Sequence, residues 1–433
     1  MKYLRKIIIV SLIILFSTII PIGLWLMAPS PVYRFENTMI SLTSLGQIAG
    51  LIGFSLFAIN LILSARLKIL DHYFFGLNQV YKYHAQIGKI TLVLLLLHPL
   101  FLLANSTGGL WIEIIRFFLP NQSRAINAGI FSLTLLIGLL ALTLFLRPRY
   151  DIWKWTHKFL GGVFIFAFLH VFLIPSDVSS FFPLRIYLLG MGILALSLFF
   201  YSTVFGKWLR KKYIYQVSLV QQVAKGVWQV IMEPMTKQMP FLAGQFIFVN
   251  FENKNIRKES HPFSLTSNPH TNNLSLVIKG LGDYTKQIHH LSPGTTAFIE
   301  GPFGSFSYKN ALFKQQIWIA GGIGITPFLS MIQEIQHESR FEYMIDLYYC
   351  IHDENEFLDL ACLKELPKNI RLIAYYSDRY GFITADYIEK QSGSLQEKDI
   401  FLCAPPVMIQ LLKKQFQEKG VLAHFLHSEE FIL

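Results

Sequence analysis

Long apolar stretches and short alternating segments divide the sequence into two unlike parts. In the first part, six apolar stretches are each long enough to cross a bilayer as a helix of about 20 residues. These predicted spans are Ile7–Met27, Leu42–Ser64, His84–Ala104, Ala128–Leu146, His157–Pro175 and Pro183–Val204. The pattern therefore predicts a six-helix transmembrane bundle in the N-terminal half of a multi-domain membrane protein.

Beyond Gly206 the apolar runs become short and alternate with polar residues. Between Tyr213 and Phe306, segments such as "YQVSLVQQV" and "QFIFVNF", separated by turn residues, predict a small antiparallel β-barrel. From Gln316 onward, apolar strands such as "IWIAGG" and "DIFLCAP" alternate with helix-like segments, which predicts a parallel α/β sheet. We therefore expect a transmembrane domain at 1–206, a β-barrel domain at 207–312 and an α/β domain at 313–433.

The distribution of charge sets the expected orientation of the spans. The 433-residue chain carries a formal net charge of +11, with only 15% charged residues, and its mean hydropathy is +0.43. The basic segments "MKYLRK", "ARLK", "RPRYDIWKWTHK" and "GKWLRKK" fall on one side of six alternating helices, so that side is expected to be cytoplasmic. A lipid bilayer thus explains the charge, and nucleic acid is not an expected partner. Both termini are expected in the cytoplasm, with the spans in the inner (cytoplasmic) membrane.

The N-terminus argues against a cleaved signal peptide, and the cysteines argue against a disulfide framework or a zinc site. "MKYLRK" before an apolar run also fits a signal peptide, but the run is long for one and lacks a clear small-x-small cleavage site, which favours an uncleaved helix. The three cysteines, Cys350, Cys362 and Cys403, all lie in the C-terminal third. They indicate neither a disulfide framework nor a cysteine zinc site.

Four histidines lie in or at the ends of two predicted spans: His84 and His98 on the third, His157 and His170 on the fifth. A lone intramembrane histidine is more often a polar contact between helices, but spaced pairs on two helices favour ligands of haem iron. The first pair is 98 − 84 = 14 residues apart, about 3.9 turns, and so shares one face of its helix. The second pair is 170 − 157 = 13 residues apart and points apart on an ideal helix, unless Gly161-Gly162 distorts it. The spacing alone therefore does not decide whether His157 and His170 share one face of their helix.

Five segments of the C-terminal half carry candidate nucleotide chemistry. The barrel region contains "HPFSLTSNP", "VIKGLGDYT" and "EGPFG", and the α/β region contains "IWIAGGIGITPFLSMI" and "CAPP". In the fourth segment a strand leads into glycines that let a pyrophosphate approach the backbone, and then into a helix whose N-terminus offers free N–H groups. Each segment alone could be an ordinary turn. Their combination and order resemble those of reductases that bind a flavin and a nicotinamide nucleotide.

Two paired-histidine helices, a flavin turn and a nucleotide-binding fold, in that order, resemble the NADPH oxidase and ferric reductase superfamily of flavocytochromes. The resemblance covers nearly the whole chain after the first span and suits a bacterial member. It implies a ferredoxin-reductase-like C-terminal half with FAD, NADPH or NADH, and two b-type haems. His84 and His157 would hold the inner haem, and His98 and His170 the outer haem.

The resemblance also assigns roles to individual residues. The isoalloxazine of FAD would be held by His261, Pro262, Phe263 and Ser264, and its phosphates by Lys279, Gly282 and Thr285. The nicotinamide nucleotide would be held by Gly321, Gly322, Gly324, Thr326 and Pro327. Cys403 would lie close to the nicotinamide, although Ala404 replaces a glycine of the family and adds a methyl group there. Phe431 is the candidate for the aromatic residue that stacks on the flavin.

The resemblance implies a transmembrane oxidoreductase that passes electrons from cytoplasmic NAD(P)H to an acceptor outside the cytoplasm. Dioxygen, reduced to superoxide, is the first candidate acceptor, because the loop after the third span is long enough to cap the outer haem with Trp111, Phe117 and Phe118. A ferric chelate is the alternative, and a periplasmic partner protein is a third. NADPH is expected from the family alone. Asp353 and Glu354, with Arg379 nearby, leave NADH open.

Overall fold

The computed structural model describes residues 2–30, 33–74, 76–104, 118–119, 122–142, 146, 150–209 and 212–430. The chain divides into two compact units. One comprises Met1–Phe74 and Gln79–Arg210, and the other comprises Phe75–Asn78 and Lys211–Leu433. The first is helical and the second contains both sheets.

The described helices of the first unit follow the apolar stretches. They are α1 (Lys2–Met27), α2 (Thr38–Ser64), α3 (Lys68–Tyr73), α4 (Leu77–Leu103), α5 (Arg124–Ala141), α6 (Tyr150–His157), α7 (Leu160–Leu173), α8 (Asp177–Ser180), α9 (Phe182–Phe199) and α10 (Gly206–Leu209), with a π-helical turn at Phe200–Val204 between the last two. Trp25, Phe54 and Phe164 lie in their common core, where Phe54 stacks on Phe164 at 5.2 Å.

Among the described residues, six stretches are long and apolar enough to cross a membrane. They are Ile8–Met27, Thr38–Ser64, Leu77–Leu103, Arg124–Ala141, Ile152–Leu173 and Phe182–Val204. Large apolar side chains such as Ile13, Phe131 and Ile193 are more than half exposed on them. Helices that are apolar on their outer as well as their inner faces suit a lipid surrounding. The six predicted spans are therefore confirmed as helices of membrane-spanning length.

Six strands form an antiparallel barrel in the second unit: β1 (Tyr213–Ala224), β2 (Val227–Pro234), β3 (Phe246–Glu252), β4 (His261–Ser264), β5 (Leu274–Lys279) and β6 (Thr296–Phe303). Their order is β4-β3-β6-β1-β2-β5. The two outer strands meet at a bridge between Leu265 and Leu276, and the Thr266 N–H donates to the Ser275 carbonyl at 2.8 Å. This closure confirms the predicted barrel and lies within "HPFSLTSNP".

Five parallel strands form the second sheet: β7 (Gln315–Gly321), β8 (Met344–Ile351), β9 (Ile370–Tyr376), β10 (Asp399–Cys403) and β11 (Leu426–Glu429). The order β11-β10-β7-β8-β9 corresponds to the first five strands of a doubly wound nucleotide-binding fold, with β7 as its first strand. Its helices are α11 (Thr326–His337), α12 (Ala361–Lys364), α13 (Ser377–Tyr380), α14 (Ala385–Ser392) and α15 (Pro406–Glu418).

Side chains of β7 show why this sheet is buried on both faces. Ile317 and Ile319 point into one core and Trp318 and Ala320 into the other, and all four are fully buried. A strand covered by helices on both sides needs apolar residues at successive positions rather than at alternate ones. The predicted parallel α/β domain is thereby confirmed.

Candidate functional site

The four membrane histidines form two facing pairs. The ring centroids of His84 and His157 are 6.0 Å apart, and those of His98 and His170 are 6.4 Å apart. Two imidazoles that share one metal ion at about 2 Å per nitrogen have centroids roughly 6 Å apart. The structure therefore brings together the residues that the sequence analysis paired, at a spacing that fits a metal between the two rings of each pair.

An interruption of the fifth span lets its two histidines face the same helix. His157 is the last residue of α6, and α7 begins only at Leu160. His157 and His170 therefore do not lie on one continuous α-helix, and the expectation that their rings point apart on an ideal helix does not apply to them. Gly161 lies after the interruption, and its missing side chain has another role: a Cβ there would lie 2.1 Å from the Phe199 ring.

Backbone carbonyl groups fix the orientation of three of the four rings. The Nδ1 atoms lie within hydrogen-bonding distance of main-chain oxygens, at 3.0 Å for His84 and Asn60, 2.7 Å for His98 and Gly46, and 2.8 Å for His170 and Ala125. When Nδ1–H donates to a carbonyl, Nε2 keeps its lone pair for a metal ion. The Nδ1 atom of His157 is buried and has no hydrogen-bond partner among the described residues.

Two glycines that the sequence analysis overlooked make room for these rings. A Cβ on Gly50 would lie 2.7 Å from Nδ1 of His98, and a Cβ on Gly129 would lie 2.8 Å from Nδ1 of His170. Any larger side chain would push the ring away from its carbonyl partner. The signal that could have found them is the recurrence of glycine in α2, at Gly46, Gly50 and Gly53. A histidine ring can approach the backbone of a neighbouring helix this closely only where that helix has a glycine.

The predicted flavin residues His261, Pro262, Phe263 and Ser264 form β4, which pairs with β3. The His261 ring stacks on Tyr284 with centroids 4.0 Å apart, and its Nε2 lies 2.9 Å from a Glu259 carboxylate oxygen. Ser264 and Thr266 are buried, and their hydroxyl oxygens have no hydrogen-bond partner in the described part of the chain. A buried hydroxyl without a partner costs about 1–3 kcal/mol. Their positions fit a bound ligand such as FAD that would satisfy them.

Helix α11 of the parallel-sheet domain holds the flavin turn from the other side. The Ser330 hydroxyl donates to the Ser267 carbonyl at 2.6 Å, and Gln333 Nε2 donates to the Thr266 carbonyl at 2.7 Å. Ser330 is fully buried. These residues were missed because polar positions on a helix usually face solvent. The available signal was that Ser330 falls among the apolar, inward-facing positions of "TPFLSMIQEIQH".

The residues expected at the FAD phosphates lie around the end of β5. Lys279 Nζ is 3.0 Å from Oε1 of Glu356. Burial, the largest single influence, tends to raise the pKa of Glu356, but the hydrogen bonds from Lys279 and from the His352 N–H, together with the charge of Lys279, lower that pKa overall. The Thr285 hydroxyl accepts the Gly282 N–H at 2.9 Å and so orders this turn from within. A Cβ on Gly282 would have nothing within 4 Å, so the backbone there is open to a ligand.

The glycine-rich turn contains two glycines with different physical roles. Gly322 has a φ of +54°, and a Cβ on it would meet nothing within 4 Å. Its backbone is left-handed and open, as a turn around a phosphate requires. Gly324 is closed in, because a Cβ there would lie 1.9 Å from the Cys403 carbonyl oxygen. Gly324 is therefore required for packing against β10, whatever its backbone contributes to the nucleotide site.

The start of α11 completes this turn. Thr326 is buried, and its hydroxyl donates to the Ile323 carbonyl at 3.0 Å. Pro327 lies in the first turn, where a missing N–H leaves no helical hydrogen bond unmade. A cavity of about 650 Å³ is lined by residues of both predicted nucleotide sites, including Lys279, Gly322 and Asp353. The candidate FAD-phosphate lysine and the candidate nicotinamide turn thus share one cavity.

Cys403 ends β10 and is fully buried. Burial, and then the negative charge of Glu429, raise the pKa of its thiol well above the usual value, so it stays protonated. The Ala404 methyl packs towards Gly321, where a Cβ would lie 2.7 Å from it. The buried carboxylate of Glu429, 3% exposed beside Cys403, was not anticipated from the sequence.

Phe431, the predicted aromatic residue at the flavin, lies outside the described residues.

Three family models match successive parts of the chain. A "Ferric reductase like transmembrane component" matches residues 49–168, an "FAD-binding domain" matches 213–307, and an "Oxidoreductase NAD-binding domain" matches 318–414. Three of the four paired histidines fall within the first match, and His170 lies just beyond it. The second match contains the flavin turn, and the third contains the glycine-rich turn and Cys403. The chain therefore combines a transmembrane component with FAD-binding and NAD-binding domains.

Curated relatives match over less than half of the chain. The anthranilate 1,2-dioxygenase electron transfer component of Acinetobacter baylyi is 26% identical over 45% of this chain and 60% of that protein. Dual oxidase 2 of Rattus norvegicus is 24% identical over 40% of this chain and 15% of that protein. The chain thus spans less than two thirds of the length of either relative.

Similar solved structures include reductases. A cytochrome P450 reductase from Amycolatopsis is 20% identical, with a TM-score of 0.45, and the match covers 51% of this chain and 70% of that chain. A ferredoxin NADP+ reductase from Neisseria gonorrhoeae with bound FAD and NADP is 16% identical, with a TM-score of 0.44, and the match covers 51% of this chain and 98% of that chain.

Proposed function

We propose that this chain, which matches the superfamily of NADPH oxidases and ferric reductases in its three domains and their order, is a transmembrane oxidoreductase. It would carry electrons from cytoplasmic NAD(P)H, through FAD and two b-type haems, to an acceptor on the other side of the membrane. The observation that carries this proposal is the presence of two facing histidine pairs in apolar helices of the same chain as a flavin turn and a nucleotide turn. A soluble reductase has no use for such pairs.

Residues of this chain would bind the nucleotide, orient the flavin and hold the haems. Bound FAD and haem would supply the conversion of a two-electron hydride into single electrons and their relay. The open backbone at Gly322 and the N–H groups at the start of α11 would receive the dinucleotide pyrophosphate. The Ser264 hydroxyl would orient the flavin. His98 and His170 would hold one haem between them, and that haem would supply single electrons to the acceptor.

Dioxygen is the acceptor that we propose first. One hydride carries two electrons, so NAD(P)H and two molecules of dioxygen give NAD(P)+, two superoxide ions and one proton. The similarity to dual oxidases of Rattus norvegicus and Homo sapiens, at 24% and 26% identity, supports this choice. The cap proposed from the sequence rests mainly on Trp111 and Phe117, which lie outside the described residues, whereas Phe118 is 44% exposed.

Reduction of a ferric chelate is the second candidate. It is favoured by the family model that matches residues 49–168, whose description is that of a ferric reductase. A haem held by the same histidine pairs would also supply single electrons to a ferric chelate. A chelate differs from dioxygen only in needing a wider approach to that haem.

The histidine pairs are tested by counting haems. The purified protein is expected to contain two low-spin b-type haems per chain, and His98→Ala is expected to retain one, because the His84 and His157 pair remains intact. Reduction of bound flavin by NAD(P)H should be unchanged in this variant. The matched control is His72→Ala, an exposed histidine outside both pairs. A haem content of zero in the unmodified protein would refute the flavocytochrome assignment.

The acceptor is tested with the same preparation. If dioxygen is reduced, cytochrome c is reduced in the presence of NAD(P)H, and superoxide dismutase abolishes most of that rate. If superoxide dismutase leaves the rate unchanged while ferric chelates are reduced rapidly without oxygen, the ferric reductase alternative replaces the oxidase. The His98→Ala variant should be inactive in both assays, because both acceptors depend on the outer pair.

A further inference from the structure

The carboxyl ends of β8 and β9 carry the residues that would meet the adenosine half of the nucleotide. In a doubly wound fold, an acidic residue after the second strand binds the ribose 2′-hydroxyl of NAD, whereas a nearby arginine accommodates the 2′-phosphate of NADP. Because β7 is the first strand here, β8 is the second. It ends at Ile351 and is followed by Asp353 and Glu354, while Arg379 follows β9.

One cavity connects these residues to the glycine-rich turn. Gly322, Asp353, Asn355 and Glu356 line the same space of about 650 Å³. The end of β9 is joined to the end of β8, since the Asp378 N–H donates to the His352 carbonyl at 3.1 Å. A nucleotide whose pyrophosphate lies at Gly322 would therefore extend its ribose towards Asp353.

The cations near this ribose position are already paired. Arg379 donates to Oε1 of Glu354 at 2.9 Å, and Lys279 lies 3.0 Å from Oε1 of Glu356. The remaining lysine of the cavity wall, Lys225, lies in the turn between β1 and β2 of the barrel, where Val227 pairs with Lys279. On the nucleotide side, acidic groups outnumber basic ones.

Asp353 is poised to accept hydrogen bonds. Its Oδ1 accepts the Asn355 N–H at 2.8 Å, which holds the carboxylate at the end of β8. Its Oδ2 makes no hydrogen bond within the described part of the chain. Ribose hydroxyls are donors, and so they complement this oxygen. A 2′-phosphate carries about −1.5 to −2 charges at pH 7 and offers only acceptors.

We infer that this site selects NADH over NADPH, with Asp353 as the acceptor for the ribose hydroxyls and Glu354 as the group that keeps Arg379 from a 2′-phosphate. The inference rests on the proposed function and reverses the preference for NADPH that the family resemblance suggested. A 2′-phosphate would meet Asp353 directly, and it would gain Arg379 only by displacing Glu354.

The test is anaerobic steady-state reduction of an artificial dye by the full-length protein with NADH or NADPH, together with the loss of absorbance of its bound FAD. We expect kcat/KM for NADH to exceed that for NADPH by at least about tenfold, because like charges in contact are strongly unfavourable. Glu354→Gln should raise the ratio of kcat/KM for NADPH to kcat/KM for NADH several-fold. Adding Arg379→Gln to that variant should remove the gain.

The matched control is Glu418→Gln, which removes the acid of another exposed ion pair, with Lys414, in the same domain. Flavin content is measured in each variant, so that a folding defect is recognised. Equal or better use of NADPH by the unmodified protein would overturn the selectivity while leaving the proposed oxidoreductase intact. A change in Glu354→Gln no larger than in the control would overturn the role of Glu354. If neither nucleotide reduces the flavin, the proposed function itself fails.

Discussion

Two glycines of one motif, separated by a single residue, differ in what surrounds them. Gly322 and Gly324 both belong to "GGIG", and the sequence gives no reason to separate them. In the structure Gly322 adopts a left-handed conformation in open space, whereas Gly324 touches the Cys403 carbonyl. A substitution at Gly322 is therefore limited by the left-handed backbone, whereas a substitution at Gly324 is limited by the space available for a side chain.

Alanine at each position should separate these roles. Gly322→Ala has room for its methyl group and is expected to cost about 1 kcal/mol of backbone strain, so the protein should fold with FAD and show a raised KM for the nicotinamide nucleotide. Gly324→Ala should lower the thermal unfolding temperature and the flavin content, because the Cys403 backbone must move. Steady-state kinetics, flavin content and thermal denaturation of both variants provide the comparison. Equal behaviour of the two variants would contradict the distinction.

The sequence predicted those site residues whose side-chain type is itself uncommon and suited to one kind of ligand. His84, His98, His157 and His170 are few and chemically distinct, and the structure brings them together in the anticipated pairs. Their hydrogen-bond partners were not predictable, because each is a backbone carbonyl and any residue supplies one. Glu429 was missed for a related reason: an acidic residue near a chain end resembles an ordinary surface charge until its burial is known.

At the scale of elements, α11 links two functions that the sequence places in separate domains. Its N-terminus follows the glycine-rich turn, and its side chains hold the carbonyl groups of the flavin turn. A shift of this helix would therefore displace both candidate sites together.

Removing one of these helix contacts should weaken FAD binding. Ser330→Ala leaves the buried Ser267 carbonyl without its donor, at a cost of about 1–3 kcal/mol. We expect roughly tenfold weaker FAD binding or more, measured by the recovery of flavin fluorescence on dilution. Ser218→Ala is the matched control, since its hydroxyl also donates to a carbonyl, that of Ile231 at 3.2 Å, on the barrel away from the turn. Similar FAD affinities in the two variants would show that Ser330 only supports the fold.

Element types were predictable from periodicity, but local irregularities were not. Alternation predicted the barrel strands, and continuous apolar runs predicted the buried strands and the spans. The interruption before Leu160 has no counterpart in the periodicity of this apolar segment, and neither has the close contact of Phe199 with Gly161. The closure of the barrel at Leu265 and Leu276 joins strands that are far apart in the sheet order and so had no local signal.

At the scale of the whole molecule, the barrel and the parallel sheet contain their own cores. The three apolar clusters of this region consist entirely of residues between Tyr213 and Leu426. None of them draws on a residue of the transmembrane helices. The order of the domains was predictable because lipid-facing and water-facing segments differ strongly in composition.

Residues 212–433 expressed alone are therefore expected to fold as a soluble flavoprotein. The fragment should bind FAD and reduce an artificial dye with NADH, since every residue proposed to contact either nucleotide lies within it. Dye reduction and flavin content of the fragment are compared with those of the same fragment carrying Gly324→Ala. A fragment that is soluble and yet never reduces FAD would contradict the assignment of the nucleotide sites.

One helix of the membrane unit limits how this chain can change in length. Asn60 and Gly46 of α2, which orient His84 and His98 of α4, are 60 − 46 = 14 residues apart, and the two histidines are 98 − 84 = 14 residues apart. A single insertion or deletion in either stretch would turn one end of that helix by about 100° and move it by about 1.5 Å. One ring would then lose its carbonyl partner, whatever the side chains. Homologous sequences should therefore align without gaps across both stretches, with substitutions falling outside the two histidines and glycines such as Gly50 that make room for them.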